Sequence, residues 1–170
     1  MFSYVFMKIL EGRPRSYDQR MDKVSRGRVR AMKQAVASEI APRTHVLEMG
    51  CGTGELAALI NARGSTVEGF DRSPSMLAVA RERIEEGNLE GRLTVWEMGV
   101  DGMDALDERS YGAVVSTLVF SELADDERRY ALKHALRVLE PAGLLVIADE
   151  VLPAEQHLQR RLGRRRLYDA

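Results

Sequence analysis

Residues 45–57 constrain this chain more than any other stretch. His45, Val46, Leu47, Glu48 and Met49 read as a short buried strand, Gly50 to Gly54 as a tight loop, and Glu55, Leu56 and Ala57 as the start of a helix. Alternate glycines at positions 50, 52 and 54 let the backbone pass close to a ligand, because a Cβ there would collide with it. The loop contains no Lys or Arg, and Glu48 and Glu55 flank it. A phosphate is repelled by that arrangement, and a ligand bearing positive charge is attracted.

The rest of the chain predicts the sheet that such a loop belongs to. Expected strands are 45–49, 65–70, 92–97, 112–117 and 143–149, and expected helices are 2–10, 18–40, 53–62, 74–86, 125–139 and 154–167. Leu144 to Ala148 and Ala113 to Val115 are continuous apolar runs without alternation, which suits parallel strands covered on both faces. Strands separated by single helices give βαβ units and a doubly wound α/β sheet, mainly parallel and Rossmann-like. Ligands in such sheets bind at the carboxyl ends of the strands, near the point where strand order reverses. Residues 1–43 read as an N-terminal helical extension or lid, and 44–170 as the core.

Composition narrows the function classes. A length of 170 residues points to one domain. The single Cys51 excludes an internal disulfide and a cysteine-based zinc site, and fits a reducing, cytoplasmic setting. His45, His134 and His157 share no metal-ligand spacing, so no metal is expected. The N-terminal apolar run lacks a leading positive region and a small-residue cleavage site, and no apolar run reaches spanning length. Basic residues concentrate in 1–43 and 157–170, leaving 44–156 with ten basic and twenty-one acidic residues. An acidic centre argues against a nucleic-acid groove. Arg160, Arg161, Arg164, Arg165 and Arg166 read as a solvated helix face.

Asp71 is the second signal. It closes the strand ending Gly69, Phe70 and follows Gly50 by twenty-one residues. An acid there is placed to accept hydrogen bonds from both ribose hydroxyls. Ser73, ahead of Pro74, is the better helix cap, which leaves Asp71 for a ligand. A nucleoside that also carries an ammonium and a sulfonium suits this loop, its carboxylate resting on the helix amides. S-adenosylmethionine has those groups.

Four motifs in order resemble the class I S-adenosylmethionine-dependent methyltransferases, over roughly residues 45–150. Glu48 to Gly54 resembles that family's first motif. Phe70 to Leu77 resembles its ribose-binding strand and turn. Ser110 to Ser116 resembles its fourth strand, with Gly112 where Asp is usual. Arg137 to Ala148 resembles the turn into its fifth strand, with Ala142 where Gly is usual. Tyr17 to Gly27 is similar to the lead-in of quinone-biosynthesis methyltransferases, whose tyrosine lies over the cofactor. The N-terminal layout also resembles small methyltransferases associated with corrinoid proteins.

The resemblance implies S-adenosylmethionine as cofactor, S-adenosylhomocysteine as product and a small-molecule acceptor. The cofactor-binding residues it implies are Tyr17, Glu48, Gly50, Cys51, Gly52, Gly54, Asp71, Arg72, Met76, Val100, Asp101 and Thr117. After the third strand the family often has Gly-Asp-Ala, whose Asp reads the adenine amino group. Here Gly99 is followed by Val100 and Asp101, and the expectation is backbone contact at both. The acceptor is expected above the loop following the fourth strand, with Glu122 as the candidate base. Phe2, Tyr4, Phe6 and Tyr17 hint at a hydrophobic acceptor. Cys51 reads as a small core-facing side chain.

The family's sheet normally ends in an antiparallel hairpin, and this sequence stops at Ala170, just past the expected last helix. A reduced form or a fragment of a longer protein is expected, with dimerisation as one cover for the exposed fifth strand. Two rivals stand beside the methyltransferase reading. A nicotinamide-dependent oxidoreductase fits the permissive fingerprint from Gly52, but Glu48 and Glu55 would then face a pyrophosphate. A non-catalytic subunit on the same fold is favoured by the departures at Val100 and Gly112.

Overall fold

Five parallel strands form one sheet in the order β3-β2-β1-β4-β5: β1 (His45–Met49), β2 (Thr66–Asp71), β3 (Leu93–Glu97), β4 (Tyr111–Thr117) and β5 (Leu139–Ala148). The computed structural model describes residues 12–149. The helices expected at 2–10 and 154–167, the aromatic residues Phe2, Tyr4 and Phe6, and the arginines at 160–166 lie outside the described residues. Among the described residues there are five α-helices: α1 (Tyr17–Ser25), α2 (Arg28–Glu39), α3 (Glu55–Asn61), α4 (Pro74–Gly87) and α5 (Asp125–Val138).

Both faces of the sheet are covered, which is why β1 and β4 are apolar without alternation. On one face Val46, Val67, Ala113 and Val115 pack against α2, α3 and α4 through Val36, Leu56, Ile60, Leu77 and Ala80. On the other, Leu47, Met49, Phe70 and Val114 meet Ala131, Ala135 and Val138 of α5, with Met103 filling the end. α4 starts as its sequence dictates: Ser73 Oγ accepts from the Met76 amide at 3.4 Å and Pro74 opens the helix. α5 begins with three acids, and Glu127 reaches back to the Ala124 amide at 2.7 Å. Glu122 is therefore not the cap of that helix.

Three boundaries differ from expectation. The single helix expected at 18–40 is two, because Arg26 and Gly27 take φ values of 54° and 79° in succession. Val24, just before that break, is exposed. A 3-10 turn (Val100–Ala105) stands where no element was expected. β5 begins earlier than 143: Leu139 pairs with Tyr111 and Leu144 with Ala113, so Glu140 to Gly143 bulge out of the ladder. Ala142 in that bulge has φ 65°, a conformation costing a non-glycine residue about 1–2 kcal/mol. Ala142→Gly is therefore expected to raise stability by about 1 kcal/mol, read as a shift in the urea midpoint.

β2 and β4 lie on opposite sides of β1, so the strand order reverses there. The loops leaving β1 and β4 splay apart at that point and open a cleft over the sheet's carboxyl end.

Candidate functional site

The cleft is lined from five directions. The glycine loop supplies Gly50, Cys51, Gly52 and Thr53, above buried Glu48. The end of β2 supplies Phe70, Asp71, Arg72, Ser73 and Met76. The segment after β3 supplies Met98, Gly99, Val100 and Asp101. The loop after β4 supplies Thr117, Leu118, Val119, Glu122 and Leu123, and the first two helices add Tyr17, Val29 and Lys33. Twelve of the thirteen residues expected from the sequence lie on its wall; Gly54 does not.

Gly54 has a different task. Its φ is 73°, and a Cβ on it would lie 3.3 Å from Ala80 Cβ on α4. It lets the start of α3 sit against α4, whereas Gly50, with φ 71°, lies under the Val119 side chain in the cleft itself. Gly54→Ala is expected to cost roughly 1–3 kcal/mol in chemical denaturation, from left-handed strain plus overpacking, while leaving nucleoside affinity little changed.

Hydrogen bonds fix the loop from below. The Gly50 and Cys51 amides both donate to the Phe70 carbonyl, at 2.8 and 2.9 Å. Asp71 receives the Gly52 amide on Oδ2 at 2.8 Å and the Ser73 amide on Oδ1 at 2.9 Å. One carboxylate thus binds the glycine loop to the turn before α4. Cys51 is buried and packs where Gly69 lacks a side chain. Burial, with the charges of Glu48 and Asp71 behind it, pushes its thiol far above the usual range, so it serves as packing and not as a nucleophile.

Glu48 is the unusual group. It is 1% exposed, and its Oε2 has no hydrogen-bond partner among the described residues. The Ala57 amide meets the carboxylate on its other side. Burial pushes the carboxyl up to about 8, opposed by the Lys33 ammonium and reinforced by Asp71. A buried acceptor left without a donor costs about 1–3 kcal/mol, so this is an expensive carboxyl to bury.

The charge pattern around the loop differs in one respect from expectation. Glu55 does not face the cleft as a free charge: Lys33 Nζ lies 2.7 Å from its Oε2, with both side chains mostly buried. Lys33 comes from α2, twenty-two residues upstream, and nothing local to the glycine motif announces it. At neutral pH the negative character of the site rests on Asp71, and Glu48 adds to it as the pH rises through about 8.

The far wall carries the other expected residues. Tyr130 of α5 donates to the Asp101 carbonyl at 3.2 Å. Arg137 of α5 donates to the carbonyls of Met103 and Leu106 at 2.9 and 2.6 Å. The turn holding Val100 and Asp101 is therefore anchored on α5. Glu122 faces the cleft across from Arg72, their charged atoms 3.4 Å apart over its mouth. No group of three or more potential metal ligands occurs among the described residues, and no helix there is long and apolar enough to cross a membrane.

Comparison with known proteins adds the family. A carboxy-S-adenosyl-L-methionine synthase from Chromohalobacter salexigens is 32% identical over 117 residues, covering 66% of this chain and 42% of that protein. A demethylmenaquinone methyltransferase from Thermus thermophilus is 35% identical over 117 residues, covering 67% of this chain and 50% of that protein. The chain thus spans about half the length of these curated relatives. Among solved structures, the YcgJ protein of Bacillus subtilis aligns with a TM-score of 0.69 at 18% identity, over 79% of this chain and 57% of that one, a likeness of fold. Residues 46–143 match the methyltransferase domain, a span that takes in the glycine loop, Asp71 and the loop after β4 together: the chain belongs to the methyltransferase-domain family.

Proposed function

We propose that the chain binds S-adenosylmethionine and transfers its methyl group to a small, apolar acceptor. The observation that carries this reading is Glu48 Oε2, buried beside the glycine loop without a donor. An ammonium supplies that donor and a pyrophosphate does not, which disfavours the nicotinamide alternative. Asp71, at the end of β2, is positioned for the ribose hydroxyls, with Arg72 and Met76 beside it. Val100 and Asp101 offer backbone groups and Met98 an apolar surface to the purine. Gly50, Gly52, Cys51 and Thr117 shape the floor, and Tyr17 the cover.

When bound, S-adenosylmethionine supplies a methyl group already activated by its sulfonium. The chain's own work is alignment and exclusion of water. Leu118, Val119, Leu123 and Val29 present an apolar wall on the acceptor side. Glu122 is the carboxylate nearest that wall, and its pairing with Arg72 suits an orienting role as well as acceptance of a proton.

A buried free thiol favours a cytoplasmic setting. The acidic middle of the chain disfavours nucleic acid. Leu144 and Ile147, exposed on β5 at the sheet's edge, favour a homodimer. Within the N-terminal segment, α1 with Tyr17 acts as the lid, while α2 packs into the core.

The test is turnover. The 170-residue chain, given S-adenosylmethionine and a panel of small acceptors from apolar phenols and quinols to polar amines, is expected to release S-adenosylhomocysteine with the apolar members. Saturable binding without release from any acceptor would instead support the non-catalytic subunit. Release with only the most polar acceptors would contradict the apolar wall's assignment.

A further inference from the structure

α1 is tied to the glycine loop by a polar knot that cofactor contact does not explain. Asp18, the residue after Tyr17, accepts from Thr53 Oγ1 at 2.7 Å. Arg83 of α4 places Nη2 2.7 Å from the same carboxylate and donates through Nη1 to the Thr53 carbonyl at 2.7 Å. Thr53 is 2% exposed, and the Asp18 and Arg83 side chains are 18% and 30% exposed. The pair is thus shielded more than an ordinary surface ion pair, whose net worth is near zero. Three separate elements meet at one carboxylate directly behind the loop.

The same helix reaches the other half of the cleft through apolar contact. Tyr17 and Leu118 both pack against Met21 and Val29. Leu118 holds φ 60°, a left-handed conformation uncommon for leucine. That conformation places its side chain in the cluster under α1 as the chain leaves β4. Tyr17 therefore stands between a polar anchor on the glycine loop and an apolar anchor on the acceptor side.

We propose that Asp18 is a positioning residue: with Arg83 it locks α1 onto Thr53, so that Tyr17 closes over the methionine end of the bound nucleoside. This rests on the nucleoside reading given above. The ribose and purine side, around Asp71 and Met98 to Asp101, is built from other elements. Losing the knot should therefore weaken a ligand that carries the amino-acid end and spare one that lacks it. A general loss of structure would weaken both.

The experiment is calorimetric titration of the whole chain with S-adenosylhomocysteine and, separately, with adenosine. Asp18→Ala is expected to lower affinity for S-adenosylhomocysteine by roughly tenfold, the worth of one charge-assisted hydrogen bond, with adenosine affinity unchanged. Asp18→Asn keeps an oxygen for Thr53 and is expected to recover most of that loss. Arg83→Met is expected to reproduce the selective loss, and keeps the comparison open should Asp18→Ala fail to fold. The double variant is expected to bind within about threefold of Asp18→Ala, because the same knot is cut once. Equal affinity for S-adenosylhomocysteine in wild type, Asp18→Ala and Arg83→Met overturns the inference, as does a parallel loss for adenosine. A wild type that binds neither ligand overturns the nucleoside reading and this inference with it.

Discussion

Asp71→Ala is expected to weaken binding of S-adenosylhomocysteine by about a hundredfold or more, the combined worth of charged hydrogen bonds to the ligand and of a loop held in place. The carboxylate accepts the Gly52 and Ser73 amides at 2.8 and 2.9 Å. Removing it leaves both donors without an acceptor and frees the glycine loop from the turn before α4. An unmet donor costs about 1–3 kcal/mol where water cannot reach it, so a lower melting temperature is expected too. Asp71→Asn keeps an oxygen for one of these amides, and should retain more stability than alanine while still losing most of the affinity. Calorimetry on the two variants checks both parts. An alanine variant that binds as tightly as its parent would remove Asp71 from the site.

Glu48→Gln is expected to separate stability from binding. The folded chain holds the Glu48 proton more tightly than the unfolded chain, since burial lifts the carboxyl from 4.5 to about 8. Its contribution to stability is therefore complete below pH 4.5 and is lost as the pH rises through about 8. Across that window the loss is at most about 5 kcal/mol, from roughly 1.4 kcal/mol for each pH unit of separation. Glutamine does not titrate, so the variant should hold its stability where the parent declines. Urea unfolding at pH 5.5 and 8.5, without ligand, reads this directly. The same substitution puts an amide N–H₂ where an ammonium needs an acceptor, and S-adenosylmethionine affinity should fall by roughly thirtyfold to a hundredfold. In the parent, affinity should climb with pH toward 8 as Glu48 gives up its proton. Parallel pH profiles for parent and variant would contradict the burial argument.

Local signals made most of this architecture legible, and long-range partners made the rest illegible. β1 falls on the residues expected because a buried parallel strand followed by glycines has few alternative readings. Ser73 and Pro74 announce α4 with a cap and a fixed φ, both local effects. The helix expected at 18–40 failed where periodicity outweighed a breaker. Gly27 was visible, but nothing in the sequence shows that Arg26 also turns left-handed. Gly54 was assigned to the ligand because glycine in such a loop looks the same whether it faces a nucleoside or Ala80. Glu55 looked like a free charge because Lys33, its partner, arrives from another helix. Nothing local marks Asp18 either, because Thr53 and Arg83 become its neighbours only after folding. The departure at Ala142 was readable as a family difference, while its cost is a matter of φ.

The central claim is that the glycine turn, with Glu48 buried beside it, and Asp71 together hold a cationic nucleoside. Titrating the 170-residue chain with S-adenosylmethionine and with NADH under the same conditions tests it most directly. Saturable heat with S-adenosylmethionine and none with NADH is the result expected. Saturation by NADH, with no heat from S-adenosylmethionine, would contradict it.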